Sequence, residues 1–337
     1  MDPAAVTDVL VARSAQWVKY GMAPVPFATD RNSLVAGAYK PGPSTTGVLP
    51  GSVLATATST SQLPGGGLFG GTTYQNLRIQ FIVTPPTGTS PIVFRNCRFE
   101  GPAVFTGGAV GLVKLYNAGH CPVEFYDCTF LPQDPHPNLN GLHGHTFKAY
   151  RCDISLAQDS FSVFNTADPT GPLLVEVWQC YVHDFAWFSQ AEAAALGVST
   201  PSDGTHNDGV QLQGGSGFVF KGNNIQGFDD VDHFNTYYGT NHINAVQMIK
   251  PDVGVITGMD VQLNWFDGGA ASINVAHDDP RHLGNIGIFK HNLFGRNQRL
   301  GDTWAFVRPS DVTFDAGSGA TANLFDDTLA EITYRNG

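Results

Sequence analysis

The sequence predicts an all-β chain wound as a single right-handed parallel β-helix, a solenoid of short stacked strands with an N-terminal capping or docking helix. Two repeating patterns carry that expectation. The first is an apolar residue, two spacers, Cys or Asn, one spacer and a second apolar residue. It occurs at residues 94–99 around Cys97, 125–130 around Cys128, 149–154 around Cys152 and 177–182 around Cys180, and again around Asn223, Asn264 and Asn292. The second is a strict apolar–polar–apolar alternation at 113–115, 161–163, 210–212, 246–248 and 273–275. Alternation of period two is a strand with one face buried. Val163 to Cys180 and Val275 to Asn292 are both 17 residues apart, so the two patterns recur in constant register, as in a repeat architecture.

Composition agrees. The 337 residues include 39 Gly and 21 Pro, and only 14% are charged, a profile of short strands and turns. No apolar run approaches the roughly 18 residues of a membrane span. The start, Met1-Asp2-Pro3-Ala4, lacks a basic flank followed by an apolar core, so no secretory signal is expected. A net charge of −11 argues against nucleic acid as a partner. Five cysteines, with no CxxC pair, argue against a zinc site or a disulfide framework.

One domain with a lead is expected: an N-terminal helix and extended attachment segment over residues 1–70 and the β-helix domain over 71–337. Asp2 and Pro3 suit an N-cap and first helical position. Val6, Val9, Leu10, Trp17 and Val18 would form the apolar face of a helix over 3–19, capping the first coil or docking on a partner. The Pro-, Gly-, Ser- and Thr-rich stretch up to about residue 70 reads as extended. Coils of 24 to 31 residues then stack at about 4.8 Å. Cys97, Cys128, Cys152 and Cys180 form a column of buried free thiols, because in-register thiols disfavour disulfide torsions. Asn223, Asn264 and Asn292 continue it as an amide ladder. Two excursions, 132–145 and 183–204, read as loops, the second with a helix-like run at 190–197; such loops are where function concentrates.

The alternating strands also map an outer face. If Val210, Leu212 and their equivalents point inward, then Lys114, Ser162, Gln211, Gln247 and Asn274 form one outward column. Amides and hydroxyls both donate and accept, which suits sugar hydroxyls; a plain solvated face would use the same residues. At the head of this strand Asp159, Asp208 and Asn244 are expected to stack, with His206 and His242 alongside. Carboxylates about 5 Å apart perturb one another and could serve as acid and base in glycoside cleavage, or merely bind turn amides. Asp229, Asp230 and Asp232 offer oxygen donors for a Ca2+ ion, with Tyr237 and Tyr238 as an aromatic wall for a sugar ring. No cofactor is required.

The coil pattern, the Asn column and residues 204–215 (GTHNDGVQLQGG) resemble the pectin-lyase-like superfamily of right-handed parallel β-helices, over roughly residues 71–310. Within it, the HNDGVQ segment and the Pro/Gly-rich lead resemble minor tail proteins of actinobacterial phages. That resemblance implies a virion tail component facing the host envelope, bound to other tail proteins through residues 1–70. It would bind host-surface polysaccharide, with cleavage left open and homotrimeric assembly common among such tailspikes. The alternatives are a non-enzymatic structural tail component and a free-standing polysaccharide lyase or hydrolase. Asn207-Asp208-Gly209 and Asp229-Asp230 are similar to the acidic motifs of polygalacturonase-type hydrolases, but no Gly-His-Gly follows them.

Overall fold

The structure, a computed structural model, describes residues 40–227, 243–276, 284–298 and 305–336. The helix expected over 3–19 lies outside them, as do His242, Asp229, Asp230, Asp232, Tyr237 and Tyr238.

Among the described residues the coils build three parallel sheets, of ten, ten and eight strands, the arrangement of a parallel β-helix; the third sheet begins only at Val110–Leu115. The coil that begins at Cys128 is representative. A two-residue strand, Thr129–Phe130, lies in the first sheet; Leu139–Gly144 lies in the third; Phe147–Tyr150 lies in the second and returns the chain to Cys152. Apolar side chains at equivalent positions stack inward. The rings of Phe94 and Phe125 are 5.7 Å apart and nearly parallel, and those of Phe99 and Phe130 are 4.7 Å apart.

The Cys/Asn column sits immediately after a sharp corner. The preceding residue takes a left-handed conformation in coil after coil: Asn96, Asp127, Arg151, Gln179, Gly222, Leu263 and His291. After that turn the next backbone N–H meets a side-chain acceptor instead of a strand carbonyl. The side chain of the following coil receives it. Cys180 N donates to Asn223 Oδ1 (2.8 Å), Asn223 N to Asn264 Oδ1 (2.9 Å), Asn264 N to Asn292 Oδ1 (3.0 Å) and Asn292 N to Asn323 Oδ1 (3.0 Å). Each amide also donates back to a carbonyl of the previous coil, Asn264 Nδ2 to Phe220 O at 2.9 Å for instance. The cysteines do the same with weaker groups: Cys152 N donates to Cys180 Sγ (3.4 Å), and Cys180 Sγ to Ala149 O (3.6 Å). All five cysteines are free and buried. Desolvation by burial pushes the Cys128 and Cys180 thiols well above the usual thiol range, which leaves them inert.

Four features differ from the sequence-based expectation. Residues 139–144, expected within a loop, form a strand of the third sheet. Ala55–Ala57 pairs with Leu77–Ile79, so the β-helix begins well before residue 71. The lead into it runs along the outside of the corner column. Asn224 Nδ2 donates to Pro41 O (2.8 Å), Gly47 N to Arg151 O (2.8 Å), Val48 N to Thr129 Oγ1 (2.9 Å) and Leu49 N to Asn96 Oδ1 (2.8 Å). Beside the first coil lie two short 3-10 turns at 60–66, with Leu63 and Leu68 buried and Tyr74 Oη donating to Gly67 O at 2.9 Å.

The fourth difference is one of register. Asn207 pairs with Ile243, but Asp208 pairs with Ala245 and Val210 with Gln247. One extra residue, Asn244, is accommodated at this point. A slip of one residue exchanges the two faces of a strand. Asn244 therefore does not stack over Asp208, and Gln247 does not join the outer column. Gln247 instead lies between Val210 and Ile273 in the inward column, fully enclosed.

Candidate active-site cleft on the third sheet

The outer column of the third sheet reads Lys114, His143, Ser162, Gln211, Met248, Asn274. Its middle part forms the floor of a cleft of about 550 Å3. His143, Ser162 and Gln211 contribute side chains from three successive coils. One wall comes from the 183–204 excursion, through Val198 to Pro201; Phe164 lies on the opposite side of the floor strands in sequence. A six-residue helix, Gln190–Ala195, anchors the excursion. Ser189 caps it by accepting from the Glu192 N–H, while Glu192 Oε2 accepts from Ser189 N at 2.8 Å, a reciprocal capping box.

Asp159 and His206 bring ionisable chemistry to this cleft. Asp159 lies at the head of its strand, next in column to Asp208, as the repeat predicts. The pair is linked through backbone: Asp208 N donates to Asp159 Oδ1 at 2.9 Å. One coil earlier Asn140 plays the same part, its Oδ1 accepting from Asp159 N at 3.1 Å. Both aspartates are buried, but Asp159 borders the cleft whereas Asp208 does not. Burial raises the Asp159 pKa to about 7, against the opposing pull of the Asp208 N–H. A carboxyl that still holds its proton near neutrality is suited to general acid chemistry.

His206 is half exposed, and its Nε2 lies 3.1 Å from Asp203 Oδ1. A carboxylate on one ring nitrogen orients an imidazole. His143 is different. Burial lowers its pKa to about 4, with the Lys114 charge adding to the effect and the Val110 carbonyl opposing it. Its Nδ1 lies 3.0 Å from Asn140 Nδ2, and its ring meets Phe164 edge-on at 4.9 Å. It is thus an uncharged, fixed imidazole. Ser162 is buried at the floor, and Gln211 is held by Gln213, whose Nε2 donates to Gln211 Oε1 at 2.6 Å.

Of the residues singled out from the sequence, Asp159, His206, Ser162 and Gln211 therefore meet at one cleft. Asn274 stays in the outer column but lies two coils further on, outside the cleft lining. Asp208 is buried next to Asp159 and does not line the cleft. Asn140, His143 and Phe164 were not foreseen. The available signal was Leu142-His143-Gly144, which matches the alternating pattern once glycine is allowed at its third position. Glycine is required there: φ is +132°, and a Cβ would collide with the Leu115 carbonyl. Among the described residues no cluster of three or more His, Cys, Asp or Glu side chains could hold a metal ion. No protein-family model matches the chain, and no curated protein or solved structure matches it either.

Proposed function

We propose that this chain is a tailspike-like minor tail protein of a phage that binds host-surface polysaccharide in the third-sheet cleft, and that Asp159 equips the cleft to cleave it. The observation that carries the reading is Asp159 itself. It is an enclosed carboxyl with a pKa of about 7, bordering a cleft whose floor is a ladder of imidazole, hydroxyl and amide groups from three coils. Each hydroxyl or amide of such a ladder can donate or accept, and the coil spacing of about 4.8 Å is comparable to the repeat of a sugar ring in an extended chain.

In this reading protonated Asp159 donates to the glycosidic oxygen as the bond to the anomeric carbon breaks. His206, oriented by Asp203, accepts the proton of the attacking water. Asp208 holds Asp159 in place. The tail assignment rests on the resemblance of residues 204–215 and of the N-terminal lead, with residues 1–70 as attachment to other tail proteins and three copies as the assembly. Right-handed winding belongs to the same reading, because crossovers between parallel strands are almost always right-handed.

The test is polysaccharide chain length after incubation with wild type and with Asp159→Asn. A panel of bacterial envelope glycans would be used, following new reducing ends and unsaturated products together. Shortening by wild type alone, without unsaturation, is the expected result. Shortening that survives Asp159→Asn removes the mechanism. Binding without any shortening leaves a non-enzymatic tail component.

A further inference from the structure

The charge of the cleft specifies the class of glycan. We infer that the third-sheet cleft takes an uncharged polysaccharide and rejects glycans that carry a carboxylate on the bound sugars. This rests on the reading of the cleft as a polysaccharide site.

Three groups that could carry charge line the cleft among the described residues: Asp159, His143 and His206. No lysine or arginine does. On the same sheet face the neighbouring cation is Lys114, one coil before His143, and its ammonium lies over the Tyr116 ring at 4.8 Å. Lys250, following the strand Ile243–Ile249, pairs with Asp252 at 3.5 Å.

The two imidazoles do not replace the missing cation. His143 is held uncharged by its burial. His206 is matched by Asp203, 3.1 Å away, so a positive charge on its ring already has a counter-ion. A uronate carboxylate placed on this floor would be desolvated beside Asp159 with no cation to meet it, and unpaired buried charges are strongly disfavoured. Ser162, Gln211, Asn138 and Thr200 offer neutral donors and acceptors, the groups that match ring hydroxyls and N-acetyl amides.

The experiment uses matched ligands and the wild-type chain, so folding of a variant is not at issue. Glucan, galactan and mannan oligosaccharides would be titrated calorimetrically beside their counterparts oxidised to the carboxylate at C6, at low and at physiological ionic strength. The expected result is binding of at least one neutral series, unaffected by salt. The oxidised member of that series should bind at least about tenfold more weakly, the effect of one unpaired buried group. Equal or tighter binding of an oxidised member overturns the uncharged-glycan assignment and leaves the polysaccharide site standing. No binding by any member of either series removes both.

Discussion

The backbone N–H of Asp208 donates to Asp159 Oδ1 at 2.9 Å, just as Asp159 N donates to Asn140 Oδ1 at 3.1 Å. The three residues form a second side-chain-to-backbone ladder, parallel in logic to the Cys/Asn column and separated from it by the first-sheet strand. In the earlier coil a neutral amide serves. In the next an acid replaces it and faces the cleft, so the structural role of Asp159 does not require an ionisable group.

Asp159→Asn should therefore fold normally, with the amide oxygen accepting from Asp208 N. It should also change the pH dependence of stability. The folded pKa of Asp159, about 7, is raised above the ordinary 3.8, so the native state binds the proton more tightly than the unfolded one. The corresponding stability is fully present below about pH 4 and is lost as pH rises through about 7. The loss amounts to about 2–4 kcal/mol for a shift of this size. In urea unfolding from pH 4 to 8, the stability of wild type relative to Asp159→Asn should decline by that amount. Parallel curves would mean that Asp159 is ionised in the folded protein.

The solenoid was legible because its determinants repeat. Cys128, Cys152 and Cys180, or Asn264 and Asn292, occur at the same place relative to apolar neighbours, and stacking turns a linear period into a column. The cleft was half legible for the same reason: Asp159, Ser162, Asp208 and Gln211 follow the period. His143 was hidden because Gly144 breaks the alternation. Gln247 was misplaced because one extra residue, Asn244, shifts a strand by one position without altering its alternating appearance. The lead along the corner, anchored by Asn224 and Asn96 on Pro41 and Leu49, has no period of its own, so nothing local could reveal its path.

A second titrating group should act on stability at higher pH. His183 Nδ1 lies 2.6 Å from Asp184 Oδ2 and Nε2 lies 3.2 Å from Asp153 Oδ1, with the ring stacked on Tyr181 at 4.2 Å. Burial lowers its pKa, but the two carboxylates outweigh it and raise the group to about 9 from 6.5. Its contribution is fully present below about pH 6.5 and is lost as pH rises through about 9. Wild type should lose about 1–3 kcal/mol across that window, measured by denaturant midpoints at pH 6 and 9.5. His183→Gln should be less stable at pH 6 and should decline less than wild type between the two values, by that amount; a variant that retains the wild-type slope would assign it to another group.

The corner ladder predicts an ordering of variants. Asn264→Ala removes the acceptor of Asn223 N and Nδ2 and the donor to Phe220 O and Asn292 Oδ1. Several buried groups lose their partner, at about 1–3 kcal/mol each. Asn264→Cys should recover part of that loss, because Cys180 already occupies the equivalent position, accepting from Cys152 N and donating to Ala149 O. Thermal unfolding should rank wild type above Asn264→Cys above Asn264→Ala. Equal midpoints for the two variants would show that the thiols of the early coils fill space rather than bond backbone.

Gln247 gives the reverse case, a polar side chain that costs stability. The shift at Asn244 places it in the inward column between Val210 and Ile273, where neither its Oε1 nor its Nε2 has a hydrogen-bond partner among the described residues. A buried amide without a partner is destabilising by about 1–3 kcal/mol, whereas an apolar group of similar size restores the column. Gln247→Leu should therefore raise the denaturation midpoint by that amount. Because Gln247 lies in the interior column and does not line the cleft, glycan binding should be unchanged. Destabilisation by Gln247→Leu would mean that the amide is solvated or bonded in solution, and the register shift at Asn244 would then be the feature to re-examine, by exchange rates of the 245–249 amides.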